Sequence, residues 1–260
     1  MPYVEIAAAP ELRSLVACYW RIEGPARPHR VLPDGCIDVL IAGHSARAEV
    51  VGTMTRAIVT ESSPGGAVGI RFNPGEAARL IPEAARELTN SEATLEHVWG
   101  RAGTPLEDAL ASALAPDAKL ERAARVIDSL LLRCLEQRAG SVDRHVRAAA
   151  TMLTHGMSVR EVAQAVGLSE RQLARRFEAR VGISPKAFGR VMRLQHAVTA
   201  LSEGDTLSGA ASRAGYADQA HFTRDARALA GVTPRTLRDE LRSRSVDVSD
   251  SFKTRRSRAA

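Results

Sequence analysis

Cysteine is scarce in this 260-residue chain: Cys18, Cys36 and Cys134 are an odd number at wide spacing. That pattern argues against a disulfide framework and for thiols packed as small hydrophobes. No Cys-x-x-Cys or His-x-x-x-His pair occurs, so a zinc site has no ligand spacing to rest on. Long apolar runs are also missing, and no stretch approaches the roughly 18 residues a membrane span needs. The start, Met-Pro-Tyr-Val-Glu, has neither a basic region nor an apolar core, so the expectation is no signal peptide and a cytoplasmic protein. What is present is 45% hydrophobic and 25% charged, a soluble globular composition with room for one to three domains.

Charge is unevenly placed. Residues 1–140 hold 15 Lys/Arg against 18 Asp/Glu, a sum of −3, and residues 141–260 hold 21 against 12, a sum of +9. A basic back half behind a slightly acidic front half is expected when one domain meets phosphates and the other does not.

The front reads as several short strands separated by turn clusters. Val16–Ile22 is a strand ending at Gly24-Pro25, and Pro33-Asp34-Gly35 is a turn that launches the apolar strand 36–41. Val50–Gly52, Ala57–Thr60 and Ala67–Phe72 supply more, with a turn over 62–66. The expectation is a small barrel-like or sandwich domain. Helices follow at 76–81, at 94–100 with Thr94 as its cap, at 106–114 and at 118–138. In the last, Leu120, Ala123, Ala124, Ile127, Leu131 and Leu135 recur at helical steps. That stripe fits packing on its own domain or, alternatively, a dimer contact. Gly140-Ser141 marks a boundary.

The back half contains the same pattern twice. Ala163-Gln-Ala-Val-Gly-Leu-Ser169, then Leu173, Arg175 and Gly182-Ile-Ser-Pro185, returns as Ala211-Ser-Arg-Ala-Gly-Tyr-Ala217, then Phe222, Arg224 and Gly231-Val-Thr-Pro234. The offset is 48 through the glycine and 49 after it, a slip of one residue in the turn. Each copy reads as helix, Gly-containing turn, helix, the unit whose second helix enters the DNA major groove. Ser158/Glu161 and Ser169/Gln172 are capping boxes. Thr206 or Asp205 begins the second copy, and Asp218 caps its second helix. Ala163 and Gly167 are small, which predicts a close helix crossing. Pro185 opens a long helix to about Ser202 that joins the two units.

Arg171 and Arg175 share an outward face, and an arginine fork suits guanine. In the second copy Gln219 and Thr223 share one outward line and Ala220 and Arg224 the next; Gln suits adenine, Thr and Ala a thymine methyl, and Arg guanine.

These residues resemble AraC/XylS-type transcription regulators. The resemblance is carried by Gly215-Tyr-Ala-Asp-Gln-Ala-His-Phe-Thr-Arg224 with Gly231-Val-Thr-Pro234, and by Ser184-Pro-Lys-Ala-Phe188 with Arg193-Leu194. It implies seven helices with two helix-turn-helix units, and base contacts from Arg171, Ala174, Arg175, Gln219, Ala220, Thr223 and Arg224. Ala226 and Leu237 depart from the family's aromatic packing residues. In front, Leu32–Leu40 and Gly69–Gly75 resemble a short cupin-like domain of unassigned role found ahead of such modules, which implies a sensor or dimerisation domain.

The reading is therefore α+β overall: a β-rich domain over 1–100, a helical hairpin linker over 101–140, an all-α double helix-turn-helix over 141–241 and a basic, unfolded tail over 242–260. The expected function is a sequence-specific, non-enzymatic transcription regulator with no cofactor and no metal. Its expected partner is double-stranded DNA; RNA polymerase, a small-molecule effector and a second copy are candidates, and a membrane is not. Trp20, Asp34 and Arg71 are the candidate ligand residues: an apolar wall, a polar contact and an anion partner. The alternative is a DNA-repair or other enzyme anchored by the same module, with Cys36 near Asp34, Asp38, His29 and His44 as its constellation.

Overall fold

A computed structural model describes residues 3–23, 28–43, 45, 47–61, 65–81, 85–115, 117–138 and 142–243. Gly24-Pro25, His44, the first part of the 62–66 turn, Gly140-Ser141 and most of the basic tail lie outside the described residues.

Among the described residues, the front half holds eight strands: β1 (Tyr3–Ile6), β2 (Val16–Ile22), β3 (Pro28–Val31), β4 (Asp38–Ala42), β5 (Glu49–Val51), β6 (Ile58–Glu61), β7 (Ala67–Phe72) and β8 (Glu92–Thr94). Six make one antiparallel sheet in the order β1-β2-β7-β4-β5-β8, and β3 and β6 pair with each other in a separate ribbon. The expected barrel is therefore an open sheet, and β3 and β6 take no part in it. The strand expected at 36–41 begins only at Asp38, since Asp34 holds the turn by accepting the Cys36 amide at 2.9 Å.

Strand alternation gives this sheet two different faces. Tyr19, Val39, Ile41, Val50, Val68, Ile70 and Phe72 point to one side and are almost fully buried. Three helices cover that side: α1 (Leu95–Trp99), α2 (Thr104–Ala113) and α3 (Leu120–Arg138). Thr94 caps α1 as expected, accepting from the His97 amide. Leu106, Leu110, Leu120, Ala124, Ile127 and Leu131 belong to the same hydrophobic cluster as the strands. Tyr19 Oη donates to Asp128 at 2.6 Å, and Arg21 donates to the Ala118 carbonyl at 2.7 Å. The hairpin is thus a layer of the front core and not a free linker. The helix expected at 76–81 is a single 3₁₀ turn, Ala77–Arg79.

From 144 to 243 the chain is helical: α4 (Arg144–Thr154), α5 (Val159–Ala165), α6 (Glu170–Val181), α7 (Pro185–Ser202), α8 (Leu207–Arg213), α9 (Gln219–Ala230) and α10 (Pro234–Ser243). These are the seven helices implied by the resemblance. The central helix α7 buries Phe188, Val191, Leu194, Ala197, Val198 and Leu201 in one stripe. Phe188 meets Phe177 of α6 edge-on at 5.3 Å, and Arg190 reaches Asp225 of α9 at 2.7 Å. At about 1.5 Å per residue its 18 residues span about 27 Å, so one stiff rod spaces the two units. Ala226 and Leu237 are fully buried in the same cluster.

Candidate nucleic-acid interface and cavity

Local hydrogen bonds build both units the same way. Ser158 and Ser169 each accept an amide three residues on, and Glu161 and Gln172 each reach back to the cap's own amide. In the second unit Thr206 accepts from Gly209, which settles the start of α8, and Asp218 accepts from His221. The turns share a glycine at positive φ, +69° at Gly167 and +76° at Gly215. Nothing lies within 4 Å of a Cβ placed at either, so these glycines serve backbone conformation and not the close crossing expected for Gly167. The extra residue of the second copy falls between glycine and cap: Leu168 separates Gly167 from Ser169, whereas Tyr216-Ala217 separate Gly215 from Asp218.

These caps aim α6 and α9 outward. Leu173, Phe177 and Phe222 are the fully buried anchors on their inner faces. Opposite them, Arg171, Arg175, Gln219, Ala220 and Arg224 are exposed, and Ala174 and Thr223 are half-buried. The Thr223 hydroxyl donates to the Gln219 carbonyl at 2.8 Å, leaving its methyl group as the outward part. By contrast, Arg176 is drawn to Asp143 at 3.5 Å, and Arg213 is tied to Glu203 and Asp205 at 2.8 Å. Arg171, Arg175 and Arg224 make no such pair among the described residues. Two helices therefore present uncommitted cations on their outer faces.

The second face of the sheet carries Tyr3, Trp20, Asp38, Leu40, Glu49 and Arg71, by the same alternation that put their neighbours in the core. With the β3–β6 ribbon it encloses a cavity of about 390 Å³. Trp20, Asp34 and Arg71 all line it. Arg71 is not an available anion partner, however. It grips Asp38 through Nε at 3.1 Å and Nη2 at 3.0 Å, and Nε also lies 3.2 Å from Asp34. Burial raises the Asp38 carboxyl above its usual range while Arg71 pulls it down and Asp34 pushes it up. Burial likewise raises the Cys18 thiol and the Tyr3 phenol. Cys36, the nucleophile of the enzymatic alternative, is buried at the cavity edge. Among the described residues no cluster of His, Cys, Asp and Glu could hold a metal ion. None of the described helices is long and apolar enough to cross a membrane.

Comparison with known proteins bears on both halves. Residues 162–240, from within α5 to α10, match a family described as a helix-turn-helix domain. The back half is thus similar to helix-turn-helix domains. Residues 4–94 match a domain of unknown function. The regulatory protein ada of Salmonella typhimurium is 34% identical over 77 residues, 30% of this chain and 22% of that protein, so the match spans about a fifth of the relative's length. ToxT from Vibrio cholerae is 10% identical with a TM-score of 0.45, over 83% of this chain and 98% of that one. The AraC-like transcriptional activator CuxR is 15% identical with a TM-score of 0.23, over 72% and 78%.

The front domain holds the helical domain at four places. Thr53 and Thr89 donate to the carbonyls of Val181 and Gly182, at the C-terminal end of α6, at 2.6 and 2.7 Å. Glu76, nearly buried, takes a bidentate pair from Arg147 of α4 at 2.7 Å, and its carboxylate raises the Arg147 pKa. Gln195 of α7 donates to the Pro33 carbonyl at 2.7 Å. At the second unit, Arg30 and the Ala57 amide donate to the carbonyls of Ala230 and Leu229, at the end of α9. These contacts were not foreseen, and neither were the cavity carboxylates Glu49 and Glu92. The alternation of Asp38, Leu40 and Ala42 was a readable signal for a second, lined face; the interdomain donors left none, since their partners are more than 70 residues away.

Proposed function

We propose that the protein is a sequence-specific transcription regulator that reads two adjacent major-groove segments, with α6 and α9 as its recognition helices. The observation that carries this reading is the pair of equivalent capped units, each presenting exposed arginines without an acidic partner and both fastened to one rod, α7. Arg171, Ala174 and Arg175 contact one segment, and Gln219, Ala220, Thr223 and Arg224 the next. A rod of about 27 Å is commensurate with adjacent groove faces about 34 Å apart. RNA polymerase and a second copy of the chain are the further partners this reading carries.

The front domain is the effector domain in this proposal. Support comes from the β3–β6 ribbon, whose alternate residues have opposite duties. His29, Val31, Ile58 and Thr60 line the cavity, while Arg30 and the Ala57 amide hold the end of α9. A ligand that shifts the ribbon shifts the second reading head relative to the first, which gives two states the differential contacts that allostery requires.

Selection of bound genomic fragments with the purified full chain tests the reading. The expected result is a bipartite site with half-sites about one helical turn apart. Recovery of fragments without a shared motif would overturn it.

A further inference from the structure

The cavity beneath the ribbon has a definite electrostatic character. Five carboxylates line it, Asp34, Asp38, Glu49, Glu61 and Glu92, and Arg71 is the one arginine or lysine among its described lining residues. That arginine is already engaged by Asp38 and Asp34, with Glu5 behind it at 4.0 Å. An incoming anion would have to take Arg71 from these groups and leave buried carboxylates facing each other without a counter-charge, an arrangement that disfavours ionisation. Glu49, half-buried, and Glu92, exposed, make no ion pair among the described residues. His29 is the remaining titratable group on the ribbon side.

Independent of charge, the cavity has an aromatic side. Trp20 is 6% exposed and stands beside Asp38, where it helps to hold that carboxyl down. The indole lies flat over β7 because Gly69 faces it: a Cβ there would sit 2.5 Å from the ring. Tyr3 stacks beside Trp20 at 6.4 Å, so two aromatic rings border the acidic floor. Such rings attract a desolvated cation. Ile22, Val31, Leu32, Leu40, Val51 and Ile58 complete an apolar wall.

We propose that this cavity takes a small organic cation, an ammonium group on an apolar or aromatic body, with the ammonium on the Asp34/Asp38/Glu49 side and the body against the ribbon. The proposal rests on the reading of the front half as an effector domain and adds the ligand's class. The volume is of small-molecule size.

The test compares matched molecules on the full-length protein by calorimetry and thermal shift: tryptamine, indoleacetate and tryptophol, then phenethylamine, phenylacetate and phenethyl alcohol. At least one amine should bind about tenfold or more tighter than its carboxylate and alcohol counterparts. Glu49→Gln should lower that preference while keeping the melting temperature of the unliganded protein. Equal or tighter binding of the carboxylates, or no binding of either amine at millimolar concentration, overturns the proposal. Titrations repeated on a selected DNA site separate the two readings. An amine that binds without changing DNA affinity leaves the ligand class standing and removes the effector role. A carboxylate or alcohol that changes DNA affinity when no amine binds does the reverse.

Discussion

Arg30, on the front ribbon, donates from Nη1 to the Ala230 carbonyl at 2.9 Å and grips both carboxylate oxygens of Glu240 at 3.2 Å. One side chain thus satisfies a carbonyl at the end of α9 and holds the start of contact with α10, across 200 and 210 residues of sequence. The last carbonyls of a helix need such partners.

Arg30→Ala should loosen the second unit alone. Losing charge-assisted hydrogen bonds of this kind costs about 1–3 kcal/mol. Hydrogen exchange should speed up in α10 and at the end of α9, while α4 to α6 keep their protection. Equal acceleration in both units would show that the ribbon does not hold them separately.

Arg175→Ala should relax base choice in one half of the site, by about 1–3 kcal/mol of discrimination. Competition between the selected site and random DNA measures this. An equal loss on both would mean that Arg175 touches phosphate only.

Arg224→Ala should alter preference in the other half and leave the bases tied to Arg175 unchanged, because α7 keeps the heads apart. Overlap of the two mutants' altered base pairs would contradict two separate reading heads.

Acid should weaken the start of α5. Hydrogen bonds from the Ser158 side chain and backbone hold the Glu161 carboxyl below its ordinary value of 4.5. A depressed carboxyl stabilises the fold above its unfolded pKa and loses that contribution as pH falls through the folded one. Exchange of the first α5 amides should therefore rise on acidification through that window, and Glu161→Gln should abolish the step.

Removal of residues 242–260 should weaken binding to every sequence. That segment holds six Lys/Arg against two Asp. Each phosphate neutralised adds about 0.9 to the slope of log affinity against log salt, so a flatter slope is expected. An unchanged slope would show that the tail stays away from DNA.

The DNA-reading half was legible because its signals are local. A cap and its box close within three residues, as in Ser169 and Gln172, and the repeat displays the same bonds twice. The inward Leu173 and Phe177 follow from helical spacing alone. In the front half the strand at Val16–Ile22 was equally plain, yet the short β1, β3 and β8 carried too few residues to show a period. Nothing local said that β3 would pair with β6 and take no part in the main sheet.

By itself, then, the sequence determined the helices, their caps, their turns and the outward arginines, since each depends on contacts three or four residues apart. Only the tertiary structure decided what Arg71 does. As a strand residue it had to face cavity or solvent, and whether it stood free or paired depended on Asp38, 33 residues earlier, arriving at the same height of the sheet. The same holds for Arg30 and for Glu76: a charge's role is set by which opposite charge the fold brings within about 3 Å, and burial removes the water that would otherwise have served instead.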